Sequence, residues 1–577
     1  MVGVKRCMKL GSRRRRKRFA RRPKGGDRRL QRSLGVFVVR HYRLCAGLVL
    51  ALMACNVFVG LATTRIDDSD EARYGVSAFE MLHSRSFLVT TYAGQPEYWN
   101  LKPPLGYWLM AGSYWIFGRS ALAMRLPSAL FALAAVALTM AFCKRWCNRR
   151  QAILAGLVLA TAFGFLSHHG ARSGDLDACL TFLFLLFVLQ LPRLGESPHR
   201  ILALGPLLGC AFLLKSFAIL PMIAVAAAYG LATGSWRKQR LGPCLASLGT
   251  LLLIVAVWAA ARSQADRSFT FVQRMVSEDL LARSTSVIDK GTSSPFAYAT
   301  ALADRFAPWP FAIAAAAALA WRDRRRRRAA GAAGGPPPRR WLRRRRGRET
   351  RLLLALWIAI PLAMFSLART QHHWYLDPIY PACAILAAAA LLFLVGGAPR
   401  QLKAAALVGF VAVPLALCEA RVLHRVLVRD HMPPSQRFLY ALEHAAGSRC
   451  HELRTTFPLR HSERFILEVV DGFRVVEGAG GGDADNANPE SDATAAGVPP
   501  GSNLANGPGK RRGPLEPGVC VLVSRRPATA GGRHRRRGTG PPIVPGWKLE
   551  KQSDAYVLFA GGLGTIPIAQ ADGVAPE

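Results

Sequence analysis

Four carboxylates stand within five residues, at Asp67, Asp68, Asp70 and Glu71, and Arg73 and Tyr74 follow directly. If a helix starts near Ser69, Asp70 and Arg73 are three apart and Asp70 and Tyr74 four apart, so the three side chains share one face. A base, a cation and an aromatic on one face suit the removal of a proton beside an anionic leaving group. Asp68, on the neighbouring turn, is expected to be merely solvated. The same acidic run would also serve as a solvated loop at a membrane surface.

Lys102 stands before Pro103-Pro104. Pro103 biases Lys102 towards an extended conformation, and the proline pair suits the first turn of a helix over 105–117. Lys102 is thus held at a loop-to-helix junction, either snorkelling to headgroups or binding a lipid phosphate. Asp177 leads an apolar run, where a helix N-terminus favours a carboxylate as a cap or as a second base. His168 and His169 near Asp175 suggest a metal, but adjacent histidines do not converge easily and the ligand set is incomplete.

Hydropathy names the elements that must position these side chains. Apolar residues make up 51% of the 577, while Lys+Arg number 77 against 35 Asp+Glu, so the two kinds are segregated along the chain. Uncharged, mostly apolar runs occupy 44–62, 127–142, 152–167, 178–192, 201–214, 216–235, 241–261, 306–321, 352–368, 378–398 and 404–418, which makes eleven candidate spans. Several fall short of the roughly 20 residues that cross about 30 Å of hydrocarbon, so they borrow flanking residues or tilt little. Leu/Ala/Val/Phe runs without a period-2 pattern satisfy their backbone as helices in lipid.

With the N-terminus cytoplasmic, the inner segments 1–43, 143–151, 193–200, 236–240, 322–351 and 399–403 hold 42 basic and 4 acidic residues, and the outer loops before the tail hold 15 and 14. The positive-inside rule therefore fixes this orientation and places 419–577 outside. The net charge of +42 needs no nucleic acid, because the runs from Arg13 to Arg18, Arg324 to Arg328 and Arg343 to Arg346 lie beside spans, where they hold anionic headgroups. Two outer loops are long, 63–126 and 262–305. The first carries Tyr92, Tyr98, Trp99, Tyr107, Trp108 and Trp115, which suits helices lying in the interface. Segment 103–118 is apolar enough to pass for a span, but counting it as one would invert every later loop and put Arg324 to Arg348 outside.

The chain then divides into a basic cytoplasmic segment 1–43, a transmembrane domain 44–419 with an Arg-rich cytoplasmic insertion 322–351, and an external domain 420–577. In the last, 433–476 mixes helix-like and strand-like patterns, 477–514 reads as disordered, and Val519 to Ser524 and Tyr556 to Phe559 read as strands, so a small α/β domain is expected. No secretory signal peptide is apparent, since the first apolar run starts after 43 residues and stays as an anchor. The twelve cysteines show no CxxC pair. Cys450 and Cys520 share the external tail and are expected to form a disulfide.

The order Asp70-Glu71-Ala72-Arg73-Tyr74, Lys102-Pro103-Pro104-Leu105-Gly106-Tyr107-Trp108, Arg125-Leu126-Pro127-Ser128, and Asp177 with Leu180-Thr181-Phe182 resembles the dolichyl-phosphate-mannose protein mannosyltransferase superfamily. It is nearest to the bacterial branch of lipid A aminoarabinose transferases. Leu213-Leu214-Lys215, Glu278-Asp279-Leu280-Leu281-Ala282-Arg283 with Pro295-Phe296, and Arg369 with His373-Trp374-Tyr375-Leu376-Asp377-Pro378 agree with it. The resemblance covers about 60 to 435. Three departures stand out: Leu101 sits where that branch has an acid before Lys-Pro, with Asn100 and Glu97 further back; the spans are fewer than that branch's thirteen; and Gly331 to Pro338 is an insertion.

The resemblance implies an all-α polytopic GT-C glycosyltransferase fold of about 11–13 transmembrane helices, in a bacterial plasma membrane, with a sugar donor linked to a polyprenyl phosphate and inversion at the anomeric carbon. Asp70 is the expected general base and Asp177 the second choice. Glu71, Arg73, Tyr74, Lys102, Arg172, Lys215, Arg283, Arg369, His373 and Tyr375 are expected around the carrier phosphate, whose charge grows as the bond breaks. No cofactor is assigned, and a divalent metal is left open. The acceptor would be lipid A, another glycolipid or a protein hydroxyl. The competing readings are a protein O-mannosyltransferase-like enzyme, a silent lipid-binding scaffold, and a transporter or flippase of a lipid-linked sugar; a transporter would show internal repeats.

Overall fold

The first apolar run folds as α1, Tyr42–Phe58. The structure, a computed structural model, describes residues 35–167, 169–287, 294–329, 345–442, 452–455, 457–477, 519–524, 548–552 and 556–560. Beyond α1, helix α2 (Asp70–Ser84) carries Asp70 and Glu71 in its first turn, where the helix dipole favours carboxylates. A short hairpin of β1 (Thr91–Tyr92) and β2 (Gln95–Pro96) turns through Ala93 and Gly94 at positive φ and leads to α3 (Leu105–Phe117). At 13 residues α3 is too short to cross the bilayer. Trp115, Ile116 and Phe117 at its end are exposed, as an interfacial helix requires.

Helix α4 (Ala121–Trp146) begins at Ser120, whose side chain accepts from the Ala123 amide. Pro127 inside α4 has no N–H to offer the Ala123 carbonyl, and Ser113 Oγ of α3 donates to that carbonyl instead at 2.6 Å. The helix defect thus becomes a tie between α3 and α4. There follow α5 (Arg149–Ala160), α6 (Asp177–Gln190), α7 (Leu204–Lys215), α8 (Leu220–Thr233), α9 (Leu241–Asp266), α10 (Trp309–Ala329), α11 (Arg345–Leu367), α12 (Tyr380–Gly397) and α13 (Lys403–Val428). Each of the eleven apolar runs has its helix.

Among the described residues, six helical stretches are long and apolar enough to cross a membrane by themselves: Ala121–Trp146, His199–Thr233, Leu241–Asp266, Gly347–Leu367, His373–Gly397 and Lys403–Val428. The stretch His199–Thr233 reverses at Ser216, whose φ is 39°. Gln239, past α8, donates to the Leu194 carbonyl, ahead of α7, so α7 and α8 run antiparallel as two spans. In its most apolar window α9 is 17% buried and α12 is 72% buried, which puts α9 at the lipid-facing rim and α12 at the centre.

Basic side chains gather at one end. Arg149 donates to the Val39 carbonyl, Arg150 to that of Gly35, and Arg145 pairs with Glu196 at 3.0 Å. At the other end of α4, Arg125 pairs with Glu71. Arg125 and Arg145 are about 30 Å apart at 1.5 Å rise per residue, a bilayer's hydrocarbon thickness.

The tail contributes a five-stranded sheet in the order β4-β3-β5-β7-β6, from β3 (Glu452–Thr455), β4 (Arg474–Glu477), β5 (Val519–Ser524), β6 (Lys548–Gln552) and β7 (Tyr556–Ala560). Strand β3 lies parallel to β4 and β5, and β7 lies antiparallel to β5 and β6. Cys520 on β5 is buried and disulfide-bonded. Of the stretch 477–514 expected to be disordered, Glu477 instead ends β4; the rest of it, the expected partner Cys450, the insertion 331–338 and His168 lie outside the described residues.

Candidate active site

At the end of the bundle away from the basic cluster, a cavity of about 900 Å³ opens between the first outer loop, the mouths of α6 and α7, the second long loop and the stretch before α12. Asp70, Arg73 and Tyr74 all line it, as their helical spacing requires. Lys102, Asp177, Lys215, Arg283, His373 and Tyr375 line it too. Leu180, Phe184, Phe217, Leu220, Met364 and Phe365 form an apolar wall.

Asp70 has no side-chain hydrogen bond among the described residues. Burial and the neighbouring Asp175 carboxylate raise it above the usual carboxylate range, against the pull of His169, Lys215 and Lys102. A carboxylate so placed has a stronger appetite for a proton. Asp177 opens α6 and pairs with Lys215 at 2.5 Å. Lys102 Nζ lies 2.5 Å from Asp279 Oδ2, and Arg283 Nε lies 3.0 Å from Asp279 Oδ1. Burial, Arg283 and Lys215 pull the Lys102 ammonium downward, and Asp279 opposes them. Although burial pushes Asp279 up, Lys102 and Arg283 hold it below the usual carboxylate range. Burial and then Asp70 push the Tyr74 phenol well up, so it stays protonated.

His169 pairs through Nδ1 with Asp175 Oδ2 at 3.1 Å and stacks on Trp374 at 3.8 Å. Burial pulls its imidazole down, but Asp175, Asp70 and Asp177 outweigh that and lift it to about 9. Ligand atoms of Asp70, His169 and Asp175 lie within 4.8 Å of one another, a spacing that a metal ion would accept.

Three expected carrier contacts lie elsewhere. Glu71 faces away from the cavity and makes a buried pair with Arg125 at 2.6 Å, while also accepting from the Asp67 and Gly174 amides. Adjacent residues on a helix point about 100° apart, so Glu71 could not share Asp70's direction. Arg172 donates to the Asn56 and Val57 carbonyls at the C-terminal end of α1, and burial pulls it down to about 10. Arg369 is absent from the lining; its amide donates to the Ser284 carbonyl, beside Thr370 bonding the Arg283 carbonyl, which ties this segment to the second loop.

Arg73 reaches the cavity but is already occupied. Glu97 receives both hydrogen bonds of its Nη2, at 3.0 and 2.9 Å, and Tyr92 and Trp99 cover its guanidinium at 4.6 and 4.4 Å. Asp68 is not merely solvated, since its Oδ1 accepts from the amide and hydroxyl of Ser462 in the tail. Next to Ser462, His461 lines the cavity and meets Tyr92 Oη at 2.6 Å and Arg73 at 3.3 Å. Reasoning from sequence passed over His461, which had no local signal, and it quoted Trp374 and Asp279 within motifs without giving either a role; for Asp279 the signal was its place one helical turn before Arg283.

Residues 101–260 match the family described as dolichyl-phosphate-mannose-protein mannosyltransferase. Curated relatives include the undecaprenyl phosphate-alpha-4-amino-4-deoxy-L-arabinose arabinosyl transferase of Pseudomonas aeruginosa, 27% identical over 360 residues, 59% of this chain and 59% of the relative. A second is the transferase 1 of that description from Sodalis glossinidius, 27% identical over 60% of this chain and 58% of the relative. The chain resembles these transferases. The match spans about three fifths of their length. The crystal structure of ArnT from Cupriavidus metallidurans bound to undecaprenyl phosphate superposes with a TM-score of 0.58 at 19% identity, covering 90% of this chain and 97% of that one. Its apo state gives 0.59 at 18% identity, with 92% and 98% covered. The fold is therefore that of ArnT, and the chain is an integral membrane protein.

Proposed function

We propose that this chain is an inverting glycosyltransferase that takes a sugar from a polyprenyl-phosphate carrier at the outer face of the bacterial plasma membrane. The observation that carries this reading is the convergence of Lys102, Lys215 and Arg283 on the cavity that also holds Asp70, with an apolar wall beside them for a lipid chain. Basic residues cluster at the opposite end, which supports a cytoplasmic N-terminus. The descriptions of the relatives support undecaprenyl phosphate as the carrier.

In the step itself, an acceptor oxygen attacks the anomeric carbon, and the bond from that carbon to the phosphate oxygen breaks. The electron pair leaves with the phosphate, where the lysines and Arg283 meet the growing charge. A hydroxyl acceptor passes its proton to Asp70, with Asp177 held in its pair with Lys215. A phosphate acceptor on lipid A is already an anion and needs no base. Lipid A, another glycolipid and a protein hydroxyl are the acceptors to test.

Purified protein in liposomes with a radiolabelled polyprenyl-phosphate sugar is the test. Asp70→Asn should lower turnover on a hydroxyl acceptor by about 100-fold or more with little change in carrier affinity. Asp304→Asn is the control, because Asp304 pairs with Arg421 at an exposed site and is not among the residues that line the cavity. Wild-type turnover in Asp70→Asn overturns the assignment of the base. In the same assay EDTA should leave transfer intact; a loss restored by a divalent metal would make Asp70, His169 and Asp175 ligands.

A further inference from the structure

One carboxylate, that of Glu97, builds a stretch of the cavity wall. It holds Arg73 through Nη2, and its Oε1 also accepts from the Trp99 and Asn100 amides at 2.9 and 3.2 Å. The Trp99 ring is thereby laid against the Arg73 guanidinium, 4.4 Å from the ring centroid, yet it still lines the cavity and is 38% exposed. An apolar surface is left open there. Asn100 lines the cavity beside it and is 5% exposed, but its Nδ2 is buried with no hydrogen-bond partner among the described residues. Its Oδ1 faces Tyr74 Oη at 3.5 Å. Ser69 repeats the pattern. It stands at the N-cap position of α2 and lines the cavity, yet its hydroxyl caps no amide, and Oγ is buried without a partner among the described residues. A buried polar group left unpaired costs stability, so two of them in one wall call for a ligand that completes them.

We propose that Trp99, Asn100 and Ser69 form the subsite for the transferred sugar, with Trp99 stacking on one face of the ring and Asn100 Nδ2 and Ser69 Oγ bonding its hydroxyls. The proposal rests on the glycosyl-transfer reading above. In that reading the anomeric carbon is bonded to the phosphate held at Lys102 and is attacked by an acceptor beside Asp70, so the ring has to lie between the two. The three residues stand there. Asn100 is two residues before Lys102, and its carbonyl accepts from the Lys102 amide at 2.8 Å. Ser69 adjoins Asp70, and Tyr74, one turn beyond Asp70, reaches Asn100. A sugar has the matching chemistry, because C–H groups on a ring face suit an aromatic and hydroxyls at the rim suit an amide and a hydroxyl. A lipid chain would leave both polar groups unpaired. Arg73 then acts as a brace beneath Trp99, not as a grip on the carrier.

Binding to the full chain in nanodiscs tests this with three probes: undecaprenyl phosphate alone, and undecaprenyl phosphate bearing mannose or 4-amino-4-deoxyarabinose. The wild type should bind at least one sugar-bearing carrier tighter than the bare one. Trp99→Ala should weaken that carrier about tenfold while leaving bare undecaprenyl phosphate within about twofold, and Trp99→Tyr should recover most of the loss. Asn100→Leu, close in volume, should weaken the sugar-bearing carrier about fivefold and unfold no earlier than wild type, since it removes an unpaired buried amide. Lys102→Ala, by contrast, should weaken bare and sugar-bearing carriers alike. Equal binding of all three probes by the wild type overturns the subsite. So does a loss in Trp99→Ala and Asn100→Leu that is the same for bare and sugar-bearing carriers, or no loss in either variant. Failure of the wild type to bind undecaprenyl phosphate in any form would instead overturn the glycosyl-transfer reading beneath it.

Discussion

Arg73 illustrates how far residue type and spacing can be trusted in this site. Its helical register with Asp70 is right, and it does face the cavity. Its guanidinium is nevertheless 3% exposed and bound to Glu97, with Tyr92 and Trp99 over it. Removing one partner of a buried ion pair strands the other, at a cost of about 3–5 kcal/mol. Arg73→Ala should therefore lower the unfolding temperature in detergent, and adding Glu97→Gln should recover part of the loss. A residue that only gripped the carrier would instead unfold normally and bind carrier poorly. Glu97 is visible in the sequence as an acid set back from Lys102. Its pairing with Arg73 is not, because it depends on the β1–β2 hairpin bringing position 97 back beside α2.

Elements here pack closely enough that single glycines decide their approach. A Cβ on Gly205 of α7 would lie 2.0 Å from the Ser247 carbonyl oxygen of α9, and backbone cannot step aside. At Gly106 of α3 the nearest atoms belong to the flexible Leu176 side chain, at 2.4 Å. Gly205→Ala should destabilise at the upper end of the roughly 1–3 kcal/mol usual for overpacking, and Gly106→Ala clearly less. Thermal unfolding of the two variants in the same detergent checks the ranking; equal losses would mean that α7 and α9 can separate. Helices were legible element by element, and so were the bounds of the short α3 after Pro103-Pro104, because proline turns and apolar runs are local. Which faces touch was not, since α7 and α9 are apolar all round and have no polar side to orient them.

At the scale of the whole molecule the proposed topology is directly testable. Gly335→Cys should be protected from a membrane-impermeant thiol reagent added outside intact cells, and Asp485→Cys should be labelled. An external position 335 would overturn the map of spans. The sequence alone determined that the chain is a helical membrane protein, that basic residues concentrate in the segments on one side, and that Asp70, Lys102, Asp177 and Lys215 share the other. These follow from hydropathy, charge and helical period, which act over a few turns of chain. Only the tertiary structure decided that Glu71 and Arg172 are clasps, that Lys102 and Arg283 share Asp279, and that the tail closes one side of the cavity with His461. Those contacts join residues up to several hundred positions apart, and pairing at that range depends on how the helices pack, which no local pattern records.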